Sequence, residues 1–225
     1  MKIAIPGGTG QVGTILARAF HAEGHEVVAL ARSPKPAPWR VVAWDPRRPA
    51  GWAHELDGAD VVINLAGRSV NCRYTPGNRR VIIDSRVDSV RAVSQAIAAA
   101  ARPPRAWLQA STATIYAHTY DVPNDESGPI GGDEPGAPDT WRFSIDVSTA
   151  WERALDEAPA PGTRKVKLRS AMILSPDPGG IFDTLLGLVR RGLGGTAADG
   201  RQYISWIHET DSRRALHDRA GHDRW

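Results

Sequence analysis

The chain has one cysteine in 225 residues, Cys72. An internal disulfide framework is therefore excluded, and a reducing, cytoplasmic setting is expected. No apolar run reaches membrane-spanning length, and the first residues read as a strand, so neither a membrane span nor a secretory leader is predicted. Nowhere do His, Cys, Asp and Glu fall at metal-ligand spacing, and no metal is predicted. The formal charge is only +3. Arginines occur in every segment without a basic stripe interleaved with aromatics, which argues against a nucleic-acid partner. With 41% hydrophobic and 24% charged residues, the balance is that of a globular chain with one sizeable core and at most a small appended lobe.

The first thirteen residues organise the rest. Lys2–Ile5 is a short apolar strand, Gly7-Gly8-Thr9-Gly10 a tight turn, and from Gln11 apolar residues recur at helical spacing through Val12, Ile15, Leu16, Ala19 and Phe20. In a strand–turn–helix context, the Gly7, Gly10, Gly13 spacing has a physical meaning. Gly7 lets the chain reverse, Gly10 lets backbone approach a pyrophosphate, and Gly13 lets the helix lie close on the sheet. The unpaired N–H groups and dipole at the helix start favour phosphate charge. A plain strand-to-helix turn is the alternative, and the second strand that follows favours the nucleotide site.

That second strand is Glu26–Ala31, ending at Arg32-Ser33. An acid at this strand end would hold a ribose 2′-hydroxyl, whereas an arginine accommodates a 2′-phosphate. Arg32 and Ser33 offer a guanidinium and a hydroxyl, which favours NADP over NAD. The alternative is an ordinary exposed loop arginine. Strands are then expected at Arg40–Trp44, Asp60–Asn64, Ala106–Ala110, Lys165–Arg169 and Gln202–His208. After Asn64, the small residues of Leu65-Ala66-Gly67 would let backbone pass close to an adenosine, or simply form a glycine turn. Helices are predicted over Asn78–Ala101, Trp141–Ala158 and Ile181–Arg191, with a last one starting at Asp211–Leu216 and dissolving into a polar tail, His217–Trp225. In the longest, Ile83, Val87, Val90, Val93 and Ile97 share one face, while arginines 79, 80, 86 and 91 mark the others. The loop Ala117–Thr140 is long enough to be functional or mobile. Strands alternating with helices throughout predict an α/β, doubly wound parallel sheet, a Rossmann fold. Residues 1–170 form the NAD(P)-binding domain in this reading, and 171–225 a small, shortened C-terminal substrate lobe.

The segments GGTGQVG, ARS, INLAG, CRYTPGNRRVIIDSRVDSVRAV, STATIYA and GLGGTAADGRQYISWIH stand in one order over nearly the whole chain. Together they resemble the extended short-chain dehydrogenase/reductase superfamily, in its NAD-dependent epimerase/dehydratase group, and within it the YfcH-like, SDR39U1-type branch. The resemblance implies dinucleotide contacts from Gly7, Gly10, Gln11, Val12 and Gly13, with Arg32, Leu65, Ala66 and Arg86 near the cofactor. It also implies a departure. The superfamily uses a tyrosine acid/base, a lysine four residues later on the same helix face, and a Ser/Thr on the fifth strand. The matching helix here presents Phe143 and Val147, neither able to move a proton. A positioned acid/base is worth about a hundred- to ten-thousandfold in rate, so the loss is large.

Thr112 matches the Ser/Thr position, or is a strand-end threonine bonding backbone. Tyr116 is the nearest phenol, either an acid or a packing residue with its hydroxyl at the rim. His208, alone in an apolar strand, is expected to be a hydrogen-bonded core histidine. After SWIH the branch continues for several dozen residues that complete the substrate lobe, and this chain does not match them. Two functions follow: an NADP-dependent oxidoreductase or epimerase-like enzyme on a small carbonyl or hydroxyl compound, or a non-catalytic NADP(H)-binding protein for redox sensing or structure. The superfamily also makes a homodimer through the two long helices compatible with this chain.

Overall fold

The computed structural model describes residues 1–48, 51–196 and 199–221. Six strands, β1 (Lys2–Pro6), β2 (Glu26–Ala31), β3 (Arg40–Ala43), β4 (Val61–Asn64), β5 (Ala106–Thr112) and β6 (Arg164–Ser170), form one parallel sheet in the order β3-β2-β1-β4-β5-β6. The chain winds outward from β1 to β3, then returns past β1 to lay down β4. The loops leaving the carboxyl ends of β1 and β4 therefore part in opposite directions, which opens a crevice there.

Helix α1 (Gln11–Ala22) covers one face, and α2 (Pro76–Ala99) with α3 (Asp139–Glu157) covers the other. The strand period of two divides the side chains between them. Ile3, Ile5, Val27, Val61, Ile63 and Leu108 meet Leu16 and Phe20 of α1. Ala4, Val28, Leu30, Val62 and Trp107 meet Val90, Val93 and Ile97 of α2 and Trp151 and Leu155 of α3. Strands buried on both faces read as continuous apolar runs rather than alternating ones. Each fully buried Leu, Ile or Phe contributes roughly 1.5–3 kcal/mol of transfer free energy.

Several boundaries differ from expectation. Helix α2 starts at Pro76 because Thr75 caps it, its Oγ1 accepting from Asn78 N at 3.3 Å. Its buried stripe runs through Ile82, Ser89, Val90, Val93 and Ile97, with Ile83 and Val87 only half-buried. Arg86 is not on an exposed face but half-buried, its guanidinium 4.9 Å above the Trp151 ring. Helix α3 begins two residues before Trp141, after the fixed φ of Pro138, and buries Phe143, Val147, Trp151 and Leu155 as expected.

Beyond β6 lie β7 (Met172–Leu174), α4 (Ile181–Arg190), β8 (Trp206–His208) and α5 (Glu209–Gly221). The strand expected over Gln202–His208 shrinks to β8, which pairs only with β7, a three-residue strand that carried no sequence signal. His208 is exposed and its Nδ1 accepts from Thr210 N, so it is not a core histidine. Helix α4 is amphipathic yet buries nothing: Ile181, Phe182, Leu185, Leu188 and Val189 are all exposed. The expected polar tail is helical as far as Gly221, and its last four residues lie outside the described ones. Leu216 of α5 sits in the cluster of Leu16 and Phe20, and Arg213 pairs with Glu23 at 3.3 Å. Among the described residues no helix is long and apolar enough to cross a membrane.

Candidate functional site

The turn between β1 and α1 is built for close backbone approach. Gly7 has φ +80°, and a Cβ there would lie 2.8 Å from Ala66 N and from Leu65 C. A Cβ on Gly13 would lie 2.6 Å from Gly8 Cα and 2.7 Å from Gly7 O, so only glycine lets the first turn of α1 sit on the loop. Gly10 differs: a Cβ there would meet only Gly7 O, at 3.4 Å, and would otherwise point into open space. Gly10 is the N-cap of α1 without a side-chain cap, and no acidic residue stands in the first turn. The first intrahelical bond to Gly10 O comes from Thr14 N, so the N–H groups of Gln11, Val12 and Gly13 precede the helical ladder. Gln11 Nε2 is buried without a hydrogen-bond partner among the described residues, against Gly180 at the start of α4.

The loop after β4 forms the opposite wall. Asn64, fully buried, donates from Nδ2 to Gln109 Oε1 at 2.9 Å and to Ser89 Oγ at 3.2 Å, and its Oδ1 accepts from Ala66 N at 3.1 Å. Ser89 Oγ bonds Ala66 O in turn. This network fixes Leu65 and Ala66 against Gly7. Gly67 lies against Arg86, whose Nη1 donates to Arg68 O at 3.1 Å and Ile82 O at 3.0 Å. Burial pulls the Arg86 guanidinium below its ordinary pKa, and no carboxylate compensates. Arg32 and Ser33 follow β2 and are exposed, with no partner among the described residues.

At the carboxyl end of β5, Thr112 Oγ1 accepts from Thr114 N at 3.2 Å and lies 3.0 Å from Thr114 Oγ1. The Tyr116 hydroxyl accepts from Arg169 Nη1 at 3.1 Å, and the Arg169 guanidinium stands 5.0 Å from the ring centroid. Arg169 is also bound to both oxygens of Glu152, at 2.9 and 2.8 Å, and Ser111 Oγ donates to Glu152 at 2.6 Å. Burial opposes ionisation of Glu152, but the hydrogen bonds from Arg169 and Ser111 outweigh it and hold the carboxyl below the usual glutamate range. Glu152 raises the Arg169 guanidinium correspondingly.

Near the start of α3, Phe143 and Val147 are buried with Ile82, and Cys72, Tyr74 and Ile83 pack against them. Tyr74 meets Phe143 edge-on, centroids 5.0 Å apart, and Arg79 stands 4.7 Å over the Phe143 ring and 6.0 Å from that of Tyr74. Arg79 also binds both oxygens of Asp139.

Residues 3–138 match the model of the NAD dependent epimerase/dehydratase family. The bovine epimerase family protein SDR39U1 is 34% identical over 214 residues, which is 94% of this chain and 67% of the relative. The chain belongs to the NAD-dependent epimerase/dehydratase family. The crystal structure of human SDR39U1 (isoform 2) with NADPH superposes with TM-score 0.83 at 31% identity, covering 98% of this chain and 70% of the human one. A nucleoside-diphosphate sugar epimerase from Corynebacterium glutamicum gives TM-score 0.76 at 30% identity, over 96% of this chain and 43% of its own. The chain thus spans about two thirds of the length of the SDR39U1 relatives.

The structure brings Gly7, Gly13, Leu65 and Ala66 into contact, and Gly67 onto Arg86, while Arg32 and Ser33 stand apart. Sequence reasoning missed Gly8, where a Cβ would lie 2.7 Å from Ala29 Cβ, although it adjoins the triplet. It also missed Asn64, signalled by an amide ending an otherwise apolar strand, and the Tyr74–Arg79 corner. The glycine cradle, the uncapped and acid-free helix start and the unpartnered Gln11 amide fit a dinucleotide phosphate group.

Proposed function

We propose that the chain binds NADP(H) in the crevice between β1 and β4 and acts as an oxidoreductase or epimerase-like enzyme on a small carbonyl or hydroxyl compound. The observation that carries the reading is the β1–α1 cradle, where three glycines meet backbone and the fourth faces open space at a helix start. The NADPH in the human relative supports the choice of nucleotide. In this reading Gln11, Val12 and Gly13 present N–H groups to the pyrophosphate, while Gly10, whose own N–H is held by Gly7 O at 3.0 Å, leaves room for it. Leu65, Ala66 and Gly67 form its far wall, Arg32 and Ser33 take the 2′-phosphate, and the half-buried Arg86 supplies positive charge beside the wall. Thr112, at the end of β5, orients the substrate oxygen, and Tyr116 lines the same edge with its hydroxyl on Arg169. The nicotinamide supplies hydride chemistry when bound.

The second reading, a non-catalytic NADP(H)-binding protein, draws on Phe143 and Val147, both buried and apolar on α3, which the resemblance matches to the superfamily's proton-moving pair. Nicotinamide fluorescence on titration with NADPH and NADH tests binding, and a panel of aldehydes and ketones at the NADPH absorbance band tests turnover. Binding without turnover selects the second reading. Indifference to both nucleotides at millimolar levels overturns both.

A further inference from the structure

Three phenols lie near the carboxyl edge of the sheet or beside its loops: Tyr116, Tyr74 and the exposed Tyr120. The Tyr116 hydroxyl is already engaged, accepting from an Arg169 that Glu152 clamps with two hydrogen bonds. Tyr74 is different. It precedes the Thr75 cap of α2, on the loop that leaves the Leu65-Ala66-Gly67 wall. Its ring is half-buried and held edge-on against Phe143, while its hydroxyl has no hydrogen bond among the described residues. The contact with Phe143 puts a phenol beside the very residue that occupies the superfamily's tyrosine position.

We infer that Tyr74, from the loop that leads into α2, supplies the proton that Phe143 cannot, and that Arg79 takes the part of the missing lysine. The inference rests on the NADP(H) reading above. When a carbonyl carbon gains hydride, its oxygen must gain one proton. The Tyr74 O–H bond breaks, the substrate O–H bond forms, and the phenolate recovers a proton from water. The charge left on the ring oxygen is met by a cation already in place. Arg79 lies 6.0 Å from the Tyr74 centroid, tethered by Nε to the Tyr74 carbonyl at 3.2 Å and by Asp139 at its far end. The site thus keeps the chemistry of the tyrosine–lysine pair while moving both parts from α3 to the start of α2. A purely structural Tyr74 would only wedge α2 against α3.

Nitration by tetranitromethane, followed by peptide mass spectrometry, tests the placement without any turnover. With NADPH binding confirmed by fluorescence, nitration of Tyr74 is expected to slow at least tenfold at saturating NADPH, while the exposed Tyr203 is unaffected. Equal Tyr74 rates with and without bound NADPH overturn the inference; absence of binding overturns the functional reading instead. On the aldehyde and ketone panel, Tyr74→Phe is expected to lower kcat at least a hundredfold at unchanged NADPH affinity, and Tyr203→Phe, at an exposed position, to leave it within threefold. Partial recovery in Tyr74→Phe/Phe143→Tyr, with the phenol returned to α3, supports the assignment. Full activity in Tyr74→Phe, or no turnover by the native chain with NADPH bound, overturns it.

Discussion

Gly10→Ala separates binding from folding more cleanly than any other change in the cradle. The backbone at Gly10 is extended, with φ −70° and ψ 170°, which alanine adopts freely. The new Cβ would touch only Gly7 O, at 3.4 Å. Exchanging glycine for alanine at an N-cap costs under about 1 kcal/mol, or at most about 4 °C in Tm for a chain of this size. The methyl group nevertheless occupies the space over the first N–H groups of α1. Displacing a phosphate from one charge-assisted backbone hydrogen bond costs about 1.5–3 kcal/mol, which is about 10- to 150-fold in Kd. Fluorescence titration with NADPH, beside a thermal melt, reads both quantities. Gly13→Ala is the control: its Cβ falls 2.6 Å from Gly8 Cα, among backbone atoms that cannot step aside, so stability and affinity should fall together. A Gly10→Ala protein that binds NADPH within threefold of the native chain would refute the placement of the phosphates. So would a melt lowered by 10 °C or more in parallel with the lost affinity.

Arg32→Ala should weaken NADPH about 5- to 30-fold, from roughly 1–2 kcal/mol of phosphate contact at an exposed site, and leave NADH unchanged. Paired titrations check this, and equal losses for both nucleotides would remove Arg32 from the 2′-phosphate. Glu152 has a folded pKa below its unfolded value, so its contribution is complete above about pH 4.3 and fades as the pH falls through the folded value. Glu152→Gln should therefore cost about 1–3 kcal/mol at neutral pH and flatten the decline in Tm below pH 4.5; an unchanged acid limb counts against the linkage. Leu185→Gln on the exposed face of α4 should alter the unfolding free energy by no more than about 0.5 kcal/mol, measured by urea titration.

Much of this architecture was legible because a parallel sheet covered on both faces writes its strands as short apolar runs. Val27–Ala31 and Val61–Asn64 are such runs, and the glycine spacing marked the first crossover. Boundaries slipped where the signal was chemical rather than periodic. The Thr75-Pro76 cap lay two residues ahead of the first helical position inferred from hydrophobic spacing. Strand β7 was invisible because three residues paired with three others create no period of their own. The tight turn could be read from Gly7 and Gly13, whose close backbone contacts are local, whereas Gly10 has an extended backbone and meets only Gly7 O. Arg86 and Tyr74 could not be placed by spacing, since what surrounds them is set by Trp151 and Phe143, residues contributed from another helix. Tyr116 was singled out by sequence proximity to Thr112, but proximity along the chain says nothing about the Arg169 that holds its hydroxyl.

The seat of Leu216 beside Leu16 and Phe20 gives the opening helix a second tenant. Twelve residues carry the glycine cradle at one end and α5 along their flank. On the NADP(H) reading, whatever rigidity α5 lends them returns as nucleotide affinity, and a bound nucleotide repays the same free energy by fastening α5 down. On that reading α1 and α5 thus share one thermodynamic cycle, so that loosening the seat of Leu216 would register as a weaker hold on a molecule Leu216 need never touch.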